Sequence, residues 1–171
     1  MHNWRITKYN PIFRNKNGDY LKNEWTAFSD IGESFENEKL TFEKYLKTED
    51  AYIAAVILFL ECNELDSLTV THLEKSSPLK NSTFYSKEMI NIFNEVKEGL
   101  LVNKNLIESI ARLILRETFW CKLESEKMYV HFGWDYYMYI ESTNFCEKDI
   151  EKIEQSGLFV EQFQSPYEHI E

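Results

Sequence analysis

Cys121 and His131 are the residues whose types first suggest chemistry, since a thiolate activated by an imidazole is a nucleophile. Both fall in strand-like stretches, "FWCKLE" and "KMYVHF", separated by a Ser125-Glu126 turn signal. A hairpin closed there sets Trp120 opposite His131 and Cys121 opposite Val130. Side chains alternate faces along a strand, so thiol and imidazole fall on opposite faces and cannot share a proton. A second set, Arg5, Lys8, Asp30, His131 and Asp135, would make a small hydrolase-like site if the fold gathered it between the N-terminal strand and the aromatic hairpins. The adjacent carboxylates Glu49 and Asp50 are read as favourable charge near the positive end of a helix.

Metal and nucleotide chemistry lack their usual spacings. His2, His72, His131 and His169 are scattered, with no HExxH or CxxC context, so no metal site is expected. The five glycines form no GxGxxG, GxxxxGK or GxSxG, and no cofactor is expected.

The elements that must position these groups follow from periodicity and turn chemistry. "WRITKY" (4–9) alternates as a strand, and "WTAFSDIG" (25–32) reads as a short one. A helix begins near Thr41 and runs through "EDAYIAAVILFLEC", with a break expected near Thr48, where a second segment would be capped. Ser67 to Glu74 is β-branched and predicts a strand. Met89, Phe93, Val96 and Leu100 recur at helical spacing. Asn105 and Glu108 have capping-box spacing ahead of Leu106, Ile110 and Leu113. Asn144 and Glu147 predict the start of a helix over 145–156, with Ile150 and Ile153 inward and Gly157 at its C′ position. "LFVEQFQ" is the final strand. Mixed helices with hairpin-connected strands predict one α+β domain over 1–171, helices packed on a largely antiparallel sheet. Ile53, Val56, Ile57, Leu60, Ile110 and Ile114 are its expected core.

"MYVHFGWDYYMYI" (128–140) holds the densest aromatic cluster. Gly133-Trp134 has the glycine first, as a type II′ hairpin turn prefers. That register gathers Phe119, Cys121, Leu123, Met128, Val130, Phe132, Tyr137 and Tyr139 on a core face. The other face receives Trp120, Lys122, Tyr129, His131, Tyr136 and Met138, amphipathic groups that suit either a buried second layer under a helix or an exposed interface. A bulge at Gly133 instead of a turn would reassign the faces beyond residue 133. Trp120, Tyr129, His131 and Tyr136 are therefore candidate anchors for a partner, with Asp135 and Glu24 as charged contacts.

The chain has 171 residues and a net charge of −10. Residues 1–22 carry five Lys/Arg against Asp19, whereas 141–171 carry eight acids against Lys148 and Lys152. An acidic field repels nucleic acid and anionic membrane and attracts basic proteins. "AYIAAVILFL" is too short to cross a bilayer, and "MHNWRITKYN" has no apolar signal region. An odd count of widely spaced cysteines, Cys62, Cys121 and Cys146, suits a reducing cytoplasm better than a disulfide scaffold.

Taken together, "WRITKYNP", "EWTAFSDIG", "WCKLE", "VHFGWDYYMYI" and "GLFVEQFQSPY" resemble a family of small, acidic, mostly uncharacterised bacterial proteins, over nearly the whole chain. In size and charge the chain is also similar in kind to immunity proteins and inhibitors that neutralise a toxin or defence effector. That likeness implies a cytoplasmic binding protein with a basic protein partner. A signature-less enzyme is the alternative, and a homo-oligomeric interaction protein a third reading.

Overall fold

The strands are β1 (His2–Thr7), β2 (Ser34–Phe35), β3 (Glu38–Lys39), β4 (Ser67–Lys75), β5 (Leu101–Asn103), β6 (Phe119–Glu124), β7 (Met128–Phe132), β8 (Tyr137–Ser142) and β9 (Phe159–Gln162). The helices are α1 (Phe42–Cys62), α2 (Lys87–Glu95), α3 (Lys104–Leu115) and α4 (Glu147–Gln155). The computed structural model describes residues 1–75, 79 and 83–167, so His169 lies outside the described residues. Seven strands form one sheet in the order β5-β4-β6-β7-β8-β1-β9, each neighbouring pair antiparallel. The architecture is α+β, as the alternation of patterns predicts.

Caps decide where the helices start. Thr41 accepts the Lys44 N–H at 3.3 Å, and α1 then runs 21 residues straight through Thr48, so the break expected there does not occur. α3 starts two residues earlier than the capping-box spacing suggested, because the Asn103 carboxamide accepts from the Asn105 and Leu106 N–H groups at 3.1 and 3.2 Å. Asn144 does not cap α4. Its carboxamide instead donates to the Cys62 carbonyl at 2.8 Å, and Cys146 enters the helix from a left-handed conformation. The stretch Trp25 to Gly32 is not a strand. Asp30 accepts the Thr26 and Ala27 N–H groups at 2.8 and 3.0 Å, folding it into a 3-10 turn over Phe28–Asp30.

One face of the sheet carries Ile6, Val70, Cys121, Leu123, Val130, Met138 and Ile140, which join Ile53, Val56, Phe59 and Leu60 of α1 and Ile110 and Ile114 of α3 in the core. Ile57 is only partly buried, a departure from the expected core. Inside this apolar layer lies a charge cluster. The Glu49 carboxylate is 0% exposed and accepts from Arg116 Nε and Nη2 at 2.7 and 2.6 Å, from Arg112, and from the Tyr45 hydroxyl at 3.0 Å. Glu49 is therefore a clasp between α1 and α3 and not a charge near a helix start. At the β4 edge of the sheet, a second carboxylate has a structural task. Glu98 accepts the His72 and Leu73 N–H groups at 3.0 and 2.9 Å, beyond the stretch where β5 pairs.

Cys62 and Cys146 are joined in a disulfide that ties the end of α1 to the start of α4. This corrects the expectation drawn from the odd cysteine count, and it removes that argument for a reducing cytoplasm, since disulfides persist where conditions are oxidising. The fold brings together two sulfurs 84 residues apart, which spacing in sequence cannot display. Cys121 is free and buried in the core, where burial pushes its thiol far above the ordinary range. Among the described residues, no helix is long and apolar enough to cross a membrane.

Three outcomes are expected. Glu49→Ala should cost about 3–5 kcal/mol in a denaturation series, because it strands the Arg116 guanidinium in the interior. Asp50→Ala, which removes only an exposed contact to Arg112, should cost less than about 1 kcal/mol. In thiol titration without reductant, the native protein should show no rapid reaction, and unfolding should release the single thiol of Cys121.

Candidate functional site

The register of the aromatic hairpins decides which side chains meet. β6 pairs with β7 as Lys122 opposite His131 and Leu123 opposite Val130, a shift of two residues from the predicted register. Two is the repeat of the strand, so the faces survive: Cys121 and His131 do lie on opposite sides of the sheet. Between β7 and β8 the shift is three residues, with His131 opposite Tyr139 and Phe132 opposite Met138. An odd shift inverts every side chain after the turn. Tyr137 and Tyr139 leave the expected core face, and Met138 enters it.

Gly133 is not the first corner of a type II′ turn. The left-handed residues are Asp135 and Tyr136, with φ of 57° and 62°. The loop closes by Gly133 N–H to the Tyr137 carbonyl at 2.6 Å. Gly133 is required for a different reason. A Cβ there would lie 3.1 Å from the Tyr167 hydroxyl and 3.1 Å from the Tyr139 ring, so its bare backbone is what lets Tyr167 approach.

Tyr136 consequently turns inward and is not part of a row with His131. Its hydroxyl donates to the Leu115 carbonyl at 2.9 Å and meets the Tyr45 hydroxyl. Its carbonyl accepts the Tyr52 hydroxyl at 2.6 Å. Burial pushes the Tyr136 phenol far above its usual range. His131 is also buried, at 2% exposure, beneath the chain segment 163–167: Nδ1 meets Ser165 Oγ at 2.8 Å and Nε2 meets Glu124 at 3.2 Å. Tyr129 stacks on the His131 ring with centroids 6.3 Å apart. Of the two readings open for this face, a second packed layer is the one that holds for His131 and Tyr136. Arg5 joins it through a bidentate pair with Glu161 and a 4.2 Å approach to the Phe163 ring.

Glu24 sits elsewhere again. It pairs with Lys8 at 3.1 Å and with the Tyr20 hydroxyl, beside a separate cavity of about 460 Å³. Lys8, wedged against Tyr9 and Trp25, is driven down to about 8 by burial, against the pull of Glu24. The five residues of the hydrolase-like set therefore do not converge. Arg5 serves Glu161, Lys8 serves Glu24, Asp30 serves its own turn and His131 serves Ser165 and Glu124. Among the described residues, no group of three or more His, Cys, Asp or Glu could hold a metal ion.

What does assemble is a cleft of about 440 Å³ across the ends of β6, β7 and β8. Trp120, Asp135 and Tyr136 of the expected anchors line it, together with Trp134, Glu117 and Tyr167. The Trp120 indole N–H is fixed on the Phe132 carbonyl at 2.6 Å. Trp134 is 79% exposed. Glu117 follows α3 in a left-handed conformation, φ 57°. Partial burial, with Asp30 and Asp135 nearby, holds its carboxyl above the ordinary carboxylate range. Trp134 and Glu117 were not among the sequence candidates. A tryptophan next to a turn aspartate was the available signal for the first, whereas Glu117 carried none.

The titration of His131 has a definite sign. Burial lowers its pKa, Glu124 opposes this, and Lys122 and His72 reinforce it. The unfolded imidazole then binds protons more readily than the folded one. Stability should be fully present above about pH 6.5 and fall as the pH drops through that value, with a slope of at most about 1.4 kcal/mol per pH unit. Denaturation series at several pH values check this, and His131→Gln should flatten the slope.

Compared with known family models, curated proteins and solved structures, the chain matches none of them.

Proposed function

We propose that this chain is a binding protein of the inhibitor or immunity type, which neutralises a toxin or defence effector by occupying a basic surface on it. One observation carries the reading. Trp134 stands 79% exposed at the cleft, beside the carboxylates of Glu117 and Asp135. Tryptophan gives up little freedom when covered and is enriched where binding energy concentrates. Its indole offers a large apolar area with a polar edge, the kind of group a partner covers at an interface. The net charge of −10 supplies the second requirement, long-range attraction of a basic partner. Exposed acids such as Glu147 and Glu151 on α4 contribute to that field at a distance.

The anchor assignment differs from the one drawn from sequence. Trp120 and Asp135 remain, and Trp134 replaces Tyr136, Tyr129 and His131, which support the fold. Homo-oligomerisation through the same surface is distinguished by mass in solution, which should be that of one chain.

The test is capture of a basic protein from the source cell, followed by binding kinetics with that protein. Trp134→Ala should weaken binding by about 2 kcal/mol or more, and change monomer stability by no more than about 0.5 kcal/mol. Glu147→Lys and Glu151→Lys should mainly slow association and reduce its salt dependence. Equal retention of the partner by the wild type and Trp134→Ala would remove the reading.

A further inference from the structure

We infer that the cleft beside Trp134 is a receptor for one arginine side chain of the partner, the guanidinium stacking on indole and its edges meeting Glu117 and Asp135. This rests on the partner-binding reading above and gives it a chemical content. Charge is the first support. Glu74, Glu117 and Asp135 line the cleft, and among the described residues none of them is paired with a cation. Lys75 also lines it, its ammonium held on the Phe93 carbonyl at 2.7 Å, so the lining sets three carboxylates against one cation. By contrast Glu24, Glu49, Glu124 and Glu161 each have a basic neighbour within the fold.

Placement is the second support. Glu117 is the left-handed residue that ends α3, where its N–H donates to the Ile114 carbonyl at 2.9 Å and the Thr118 N–H to the Leu113 carbonyl at 3.0 Å. Asp135 sits in the turn between β7 and β8. A helix end and a turn thus hold both carboxylates at the rim of one cleft.

The walls are the third support and select the kind of cation. With its N–H already engaged by Phe132, the Trp120 indole has only its ring surface to offer. Trp134 adds a second, exposed indole. A guanidinium is planar, stacks on aromatic faces and presents a fork of donors to carboxylates. An ammonium satisfies the charge and leaves the flat surfaces unused.

The probe is a capped glycine-arginine-glycine peptide, titrated against the wild-type protein by tryptophan fluorescence and by shifts of the indole N–H signals. The comparison peptides carry citrulline, which keeps the shape and removes the charge, or lysine. Saturable binding is expected for the arginine peptide, with Trp120 and Trp134 signals moving. The lysine peptide should bind about tenfold more weakly, and the citrulline peptide should not saturate. Glu117→Gln with Asp135→Asn should weaken the arginine peptide by about tenfold or more. Glu117→Gly should raise the thermal midpoint, by relieving the left-handed strain, while losing affinity. Equal binding of the three peptides, or full affinity in Glu117→Gly, would overturn the receptor. A captured partner that depends on Trp134 while the peptide fails to bind would overturn the receptor and leave the partner reading standing. Peptide binding without any partner would sink the partner reading and keep the guanidinium site.

Discussion

A carboxylate with no exposure to water is the constraint on which the remaining structure turns. Glu49 has two arginines and a tyrosine hydroxyl around it, and each of those groups fixes a different piece of chain. Arg116 brings the end of α3 against α1, and its guanidinium faces the Phe28 and Phe42 rings. Tyr45 passes the network on to Tyr136, and so to the turn between β7 and β8. Tyr52 then links the same turn to the backbone of Lys8 just beyond β1. Such a cluster adds little net stability over an apolar replacement, but it penalises any arrangement that leaves a charge unpaired. Its contribution is to select one packing.

That selection is visible at the surface. The turn carrying Trp134 and Asp135 is held from beneath by the Tyr136 hydroxyl and carbonyl, so the exposed groups sit on a rigid platform. Glu117 is placed by the same route, one residue beyond Arg116. The cleft is thus built on the far end of the charge cluster, not on a mobile loop. Precise placement of binding groups requires that kind of support from within.

Much of the fold was legible in the sequence, for a physical reason. Helical repeats and β-branched runs report burial directly, so α1, β4, α3 and the three aromatic strands fall where their patterns put them. The site was less legible because it depends on counting residues through a turn. Between β6 and β7 the count erred by an even number, and the faces came out right. Between β7 and β8 it erred by an odd number, which moved Tyr136 from a supposed surface row into the interior. Sequence offered Gly133 as the corner, although Asp135 and Tyr136 accept the left-handed backbone instead. Glu24 and His131 were misplaced for another reason: their partners, Lys8 and Ser165, are distant in sequence or lack any pattern. The disulfide belongs to the same class.

The carboxylate of Glu98 on the backbone of His72 and Leu73 constrains how this molecule can associate. An edge strand with unpaired amides is a template for another strand, and long bare edges invite endless edge-to-edge growth. Here β5 covers only the beginning of β4, and a side chain occupies two donors farther along. At the opposite margin, β9 offers just four residues. A visiting strand would find too few free amides to register against. Recognition by strand addition is thereby discouraged on both margins, and a visitor must instead be read side chain by side chain. Under the proposed binding role, discrimination among partners would reside in chemistry that point substitutions can retune, leaving the sheet itself untouched.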